Sequence, residues 1–135
     1  MKKSKTFKIL LGLFIITLLL IPIATSASSA NYSFKISARV DGSTSHSLAN
    51  KSTSTTARGQ TYYSSGSVNP TSSYYYPELD GGWFRVYSTG DIKANGYYYT
   101  KSFGTIKKDN YTINVIKSKK GSYGEYIQGS GSIKQ

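Results

Sequence analysis

"NYSFKISARV", residues 31–40, decides the fold. Tyr32, Phe34, Ile36, Ala38 and Val40 alternate strictly with Ser33, Lys35, Ser37 and Arg39. Successive side chains of an extended chain point to opposite faces, so the apolar set shares one side and the polar set the other. That is the pattern of a half-buried strand, and the Asp41-Gly42 pair that follows has the chemistry of a turn.

The rest of the chain repeats the theme in shorter pieces. The Ser/Thr-rich stretch "STSHSLANKSTSTTARGQ" (43–60) predicts a polar edge strand around 53–57, with a mobile loop as the alternative. "QTYYSSGSV" (60–68) and "SSYYYP" (72–77) read as short strands joined at Asn69-Pro70, with Pro77 closing the second because it cannot donate into a ladder. "GWFRVYS" (82–88) lies between glycine turns, and Asn95-Gly96 is a hairpin signal joining "DIKA" (91–94) to "YYYTKSF" (97–103). "YTINVIK" (111–117) and "GEYIQGSGSI" (124–133) complete the set. No stretch after residue 28 sustains a 3.6-residue apolar period with caps. The expected class is all-β: a small antiparallel β-sandwich, jelly-roll-like, or a compact barrel of about seven to nine short strands. The closing stretch "FGTIKKDNYTINVIKS…GEYIQGSGSI" (103–133) resembles the last strands of bacterial jelly-roll accessory domains.

The first residues carry an address. Lys2, Lys3, Lys5 and Lys8 precede the apolar run "ILLGLFIITLLLI" (9–21), and Pro22 and small residues follow. This is the layout of a secretory signal peptide. The run of 13 residues is shorter than the roughly 20 that a spanning helix needs. Cleavage is expected after Ala27, with Ala30 as the alternative, leaving residues 28–135 as one β-sandwich domain. The predicted location is extracellular and cell-wall associated, a disposition similar to that of Gram-positive secreted proteins.

Composition narrows the chemistry. The chain has no cysteine, which excludes disulfides and thiolate metal sites. Loss of the four leading lysines leaves 13 basic against 6 acidic side chains, a net of +7, which suits anionic polymers or surfaces. The single histidine, His46, sits in "STSHSLA" with no nucleophile motif around it. The acids Asp41, Asp80, Asp91 and Asp109 occupy turn positions. Glu78 and Asp80 in "PELD" would share a strand face, yet they lack the spacing of a calcium loop. Catalytic, metal and cofactor sites are therefore not expected.

Tyrosine is the distinctive residue, with 13 copies, all after the apolar run. In the triplets 74–76 and 97–99 both strand faces receive rings, so some rings must leave the core. Tyr63, Tyr75, Trp83 and Tyr98 are the expected exposed aromatic patch for a ligand. Lys107, Lys108, Lys117, Lys119 and Lys120 are the expected contacts for an anionic polymer. Together these predict a secreted, non-catalytic protein that binds cell-wall polysaccharide or anionic wall polymer, with the membrane surface as a further anionic partner. No nucleic-acid motif accompanies the charge. The export signal, size, charge and tyrosines are also similar to those of small secreted bacteriocins, so the alternative is an antibacterial protein acting on the envelope of competing cells.

Overall fold

The computed structural model describes residues 29–118 and 124–135. The expected signal segment at 1–27, together with Lys119 and Lys120, lies outside the described residues. The described chain is all-β, with strands β1 (Ser29–Ile36), β2 (Arg39–Val40), β3 (His46–Leu48), β4 (Ser52–Tyr63), β5 (Tyr74–Asp80), β6 (Val86–Ser88), β7 (Ile92–Lys93), β8 (Asn95–Thr105), β9 (Asp109–Lys117) and β10 (Glu125–Lys134). One antiparallel sheet has the order β1-β10-β4-β8. The other runs β2-β9-β5-β6, with β3 also on β9 and β7 also on β5.

β2 and β3 share one edge of β9, and β6 and β7 share one edge of β5. Taken as interrupted single strands they reduce the fold to nested pairs: β1 with β10, β2/β3 with β9, β4 with β8, and β5 with β6/β7. Successive pairs alternate between the two sheets. This is the rolled-up hairpin of a jelly roll, and the expected sandwich is what forms.

The core fills the space between the sheets. Toward one end lie Leu48, Leu79, Phe103, Ile106, Tyr111, Ile113 and Ile133; toward the other lie Phe34, Ile36, Ala57, Tyr75, Ile92, Val115 and Ile127. Tyr32 packs against both groups. The Phe34 and Tyr75 rings meet at 4.9 Å between centroids, one from each sheet. Room for them comes from glycine: a Cβ at Gly129 would stand 2.7 Å from the Phe34 ring, and one at Gly59 would stand 2.7 Å from Tyr75. Gly129 and Gly59 are cross-strand partners, so together they form a shelf under both rings.

Several expectations need correction. The 31–40 strand is broken. β1 ends at Ile36, the chain crosses to the other sheet through Ser37-Ala38, and Ala38 and Val40 are exposed at an edge. Residues 52–63 are not an edge strand but lie between β10 and β8, burying Thr53, Thr55, Ala57, Gly59 and Thr61. Small residues suit that position because large rings lie over them. Pro77 does not end β5. β7 pairs at 74–75 and β6 at 78–80, so the missing N–H of Pro77 falls in the interval between them. Its carbonyl accepts from Thr89 N at 3.2 Å. Asn95-Gly96 is no hairpin turn. It forms a bulge in β8, where the pairing of Arg58 with Tyr98 shifts to that of Gln60 with Asn95, and Gly96 takes a φ of 87°.

Tyr75 is the most instructive correction. It is wholly buried, so it belongs to no surface patch. Burial pushes its phenol far above the usual tyrosine range, and its hydroxyl has no hydrogen-bond partner among the described residues. An orphaned buried hydroxyl costs about 1–3 kcal/mol. Tyr75→Phe is therefore expected to leave the unfolding midpoint unchanged or raise it, which a denaturant titration checks.

Candidate functional site

The outer face of the four-stranded sheet is built by alternation. The odd-numbered residues of β4 from Thr53 to Thr61 face the core, which turns Ser54, Thr56, Arg58, Gln60 and Tyr62 outward. Tyr126, Gln128, Ser130 and Ser132 of β10 share that face, as do Ser33 and Lys35 of β1 and Tyr98 of β8. Register puts Lys35, Gln128 and Gln60 in one row, and Ser33, Ser130, Arg58 and Tyr98 in the next. Tyr62 and Tyr126 stack nearly parallel, 5.3 Å apart at 17°. The Lys35 ammonium lies 4.4 Å from the Tyr126 ring, and the Arg58 guanidinium 5.8 Å from that of Tyr98. The result is an outer face, or platform, of amides, hydroxyls, rings and cations.

Charge is segregated. The only acid on the strands of this sheet is Glu125, and it points inward. Glu78 and Asp80 lie on the outer side of the other sheet, where Asn114 Nδ2 donates to both at 3.3 and 3.5 Å. Arg39 reaches Glu78 at 3.4 Å and also pairs with Asp41. Asp80 accepts from Gly82 N at 2.8 Å, which is its expected turn duty. Among the described residues no group of three or more His, Cys, Asp and Glu is placed to hold a metal.

Lys117, expected as a surface contact for an anionic polymer, is instead buried against Glu125. The Lys117 ammonium lies 2.7 Å from Glu125 Oε1, and both side chains are only 4% exposed. Lys117 continues the inward face of Tyr111, Ile113 and Val115, so the pair bridges the two sheets. Asn69 Nδ2 donates to the other carboxylate oxygen at 3.1 Å, and the Ser73 hydroxyl bonds to Oε1. Burial alone would raise the Glu125 carboxyl, but the hydrogen bonds from Lys117 and Ser73 outweigh it and hold the group below its usual range. Lys117 is thus a structural group, while Lys107 and Lys108 stay exposed on the turn before β9.

The expected aromatic patch is dispersed. Tyr98 is 64% exposed on the platform, Tyr63 is 43% exposed at the far end of β4, and Trp83 is 90% exposed at the opposite end of the sandwich. Tyr75 is in the core. The sequence reading missed Arg58, Gln60 and Tyr62, whose outward face is marked only by the small residues that alternate with them in 52–63.

A cleft of about 530 Å³ opens between the edges of β1 and β2/β3, lined by Tyr32, Val40, Asp41, His46, Ile113 and Val115 among others. Tyr32 bonds to Thr55 Oγ1 at 2.8 Å, and burial pushes its phenol up to about 12. No hydrogen bond among the described residues links His46 to Asp41 or to a serine.

No family model and no curated relative matches the chain. Among solved structures, a family two carbohydrate esterase from Cellvibrio japonicus is similar at 10% identity and a TM-score of 0.33, over 80% of this chain and 34% of the esterase.

Proposed function

We propose that this chain is an exported, non-catalytic jelly-roll module that binds polysaccharide or anionic wall polymer at the cell envelope. The surface that carries the binding is the outer face of the four-stranded sheet. One observation supports this above the rest: that face joins Lys35, Arg58 and Lys134 to tyrosines and amides without a single carboxylate. Amides and hydroxyls in register suit the repeating hydroxyls of a glycan, rings suit its apolar faces, and unopposed cations suit phosphate or carboxylate along an anionic chain.

The test is retention of the purified chain on isolated cell walls across a salt series. Changing Lys35 and Arg58 together to Gln is expected to weaken retention about fivefold at low salt and to flatten its salt dependence, because exposed charges are screened. Tyr98→Ala with Tyr126→Ala is expected to weaken it at every salt concentration. Retention unchanged in both double variants overturns the reading.

A further inference from the structure

We propose a second contact surface, independent of the platform: the hairpin tip at Trp83-Phe84 docks into the headgroup layer of an anionic lipid membrane. The sequence puts both rings within the strand 82–88, but the structure places them in the turn before β6. Gly81 N bonds to Arg85 O at 2.8 Å and Arg85 N to Gly82 O at 3.1 Å, which leaves Trp83 and Phe84 at the apex. They are 90% and 96% exposed, and Val86 beside them is half exposed.

Folding does not account for these rings. Phe84 sits at a φ of 66°, a left-handed conformation that is rare for a bulky residue, where glycine or asparagine would be at ease. It gains almost no burial in return. A large apolar side chain kept in a costly conformation and in full contact with water points to a partner outside the fold.

The shape and charge of the tip select the partner. The two rings meet edge to face, 66° apart with centroids at 6.1 Å, on a convex apex. A sugar ring needs a level platform and flanking hydrogen-bonding groups, and a folded protein needs a matching pocket. A fluid headgroup layer moulds itself around a wedge, and tryptophan favours that zone. The tip is also tied to a basic turn. Arg85 pairs with Asp109 at 2.5 Å and Tyr87 accepts from Lys107 N at 3.2 Å, so exposed Lys107 and Lys108 sit at the same end. Of the two acids near the tip, Asp109 is paired with Arg85, and the Asp80 carboxylate is turned to Gly82 N and Asn114 Nδ2 at the base of the turn. An apolar wedge or a basic patch alone gives marginal binding, and the two together give reversible docking on anionic lipid.

Trp83 is the only tryptophan, so it reports on its own surroundings. Adding vesicles of phosphatidylglycerol and phosphatidylcholine is expected to shift its fluorescence to the blue and carry the protein down on sedimentation. Phe84→Ser is expected to weaken that binding about tenfold, the loss that follows from withdrawing one buried ring. Lys107→Gln with Lys108→Gln is expected to remove the preference for anionic over pure phosphatidylcholine vesicles. Lys35→Gln with Arg58→Gln is expected to leave vesicle binding intact, which separates this surface from the platform. The proposal is overturned if the fluorescence does not move with anionic vesicles, if Phe84→Ser binds them as well as the parent, or if the shift occurs on soluble wall polysaccharide instead.

Discussion

Lys117→Ala is expected to destabilise the protein by about 3–5 kcal/mol, because it leaves the Glu125 carboxylate buried without its cation. Asn69 and Ser73 still bond to the carboxylate, but neither neutralises it. Replacing both members, Lys117→Met with Glu125→Leu, should cost far less, since removing a buried pair also removes its desolvation penalty. The pH dependence supplies a sign. In the parent protein the Glu125 carboxyl is held below its ordinary value of 4.5, so its contribution is full above that value and lost as pH falls through the lower, folded one. In Lys117→Ala the principal opposing influence is gone and burial raises the carboxyl instead. The deficit of the variant should then be largest near about pH 7 and shrink toward about pH 4. Denaturant midpoints across that range decide it, and a deficit that does not change with pH would show that the pair is not buried as described.

Phe34→Ala is expected to cost about 3–5 kcal/mol, the usual loss for a large ring at the centre of a core. The site has little means of collapsing. The ring lies between Tyr75 on the opposite sheet and the glycine shelf on its own, and neither glycine has a side chain to move into the void. Lys35→Ala, one residue on, should cost only about 0.5 kcal/mol, the size of its exposed contact with Tyr126. Equal losses at the two positions would mean that β1 presents its faces the other way round.

Alternation carried most of the architecture. Residues 29–36 and 109–117 show a period of two with large apolar groups on one face and each is a strand in the structure, as is 125–134, where only Ile127 and Ile133 mark that face. It failed where the buried face is made of threonine, alanine and glycine, as in β4. Hydrophobicity underrates such a face, which is filled by rings from other strands. It failed again at Trp83-Phe84, where two strand-favouring aromatics occupy a turn set by the glycines before them. Of the candidate platform, exposed rings beside cations were legible in kind, but among its members only Tyr98 was named. Tyr75 and Lys117 both lie on inward faces that the alternation of their own strands predicts, 75-77-79 and 111-113-115-117. Reading tyrosine and lysine as surface residues by type overrode that parity. Neither cross-strand register nor the corner at Ser37-Ala38 is written in local sequence, so Lys35, Arg58, Tyr62 and Tyr126 could not be gathered onto one face.

The nesting of the strand pairs also sets an order in time. The innermost pair, β5 with β6, closes a short loop, and each pair outside it must bring together segments farther apart, up to β1 with β10. β10 lies in the middle of its sheet, with β1 on one side and β4 on the other. Until β10 emerges, β1 has no strand to bond and β4 lacks one of its two. A chain delivered N-terminus first can therefore pair β5 with β6, β4 with β8 and β5 with β9 before β10 is available, while β1 waits for β10. β10 then fills the gap between β1 and β4, and the four-stranded sheet is completed after the other.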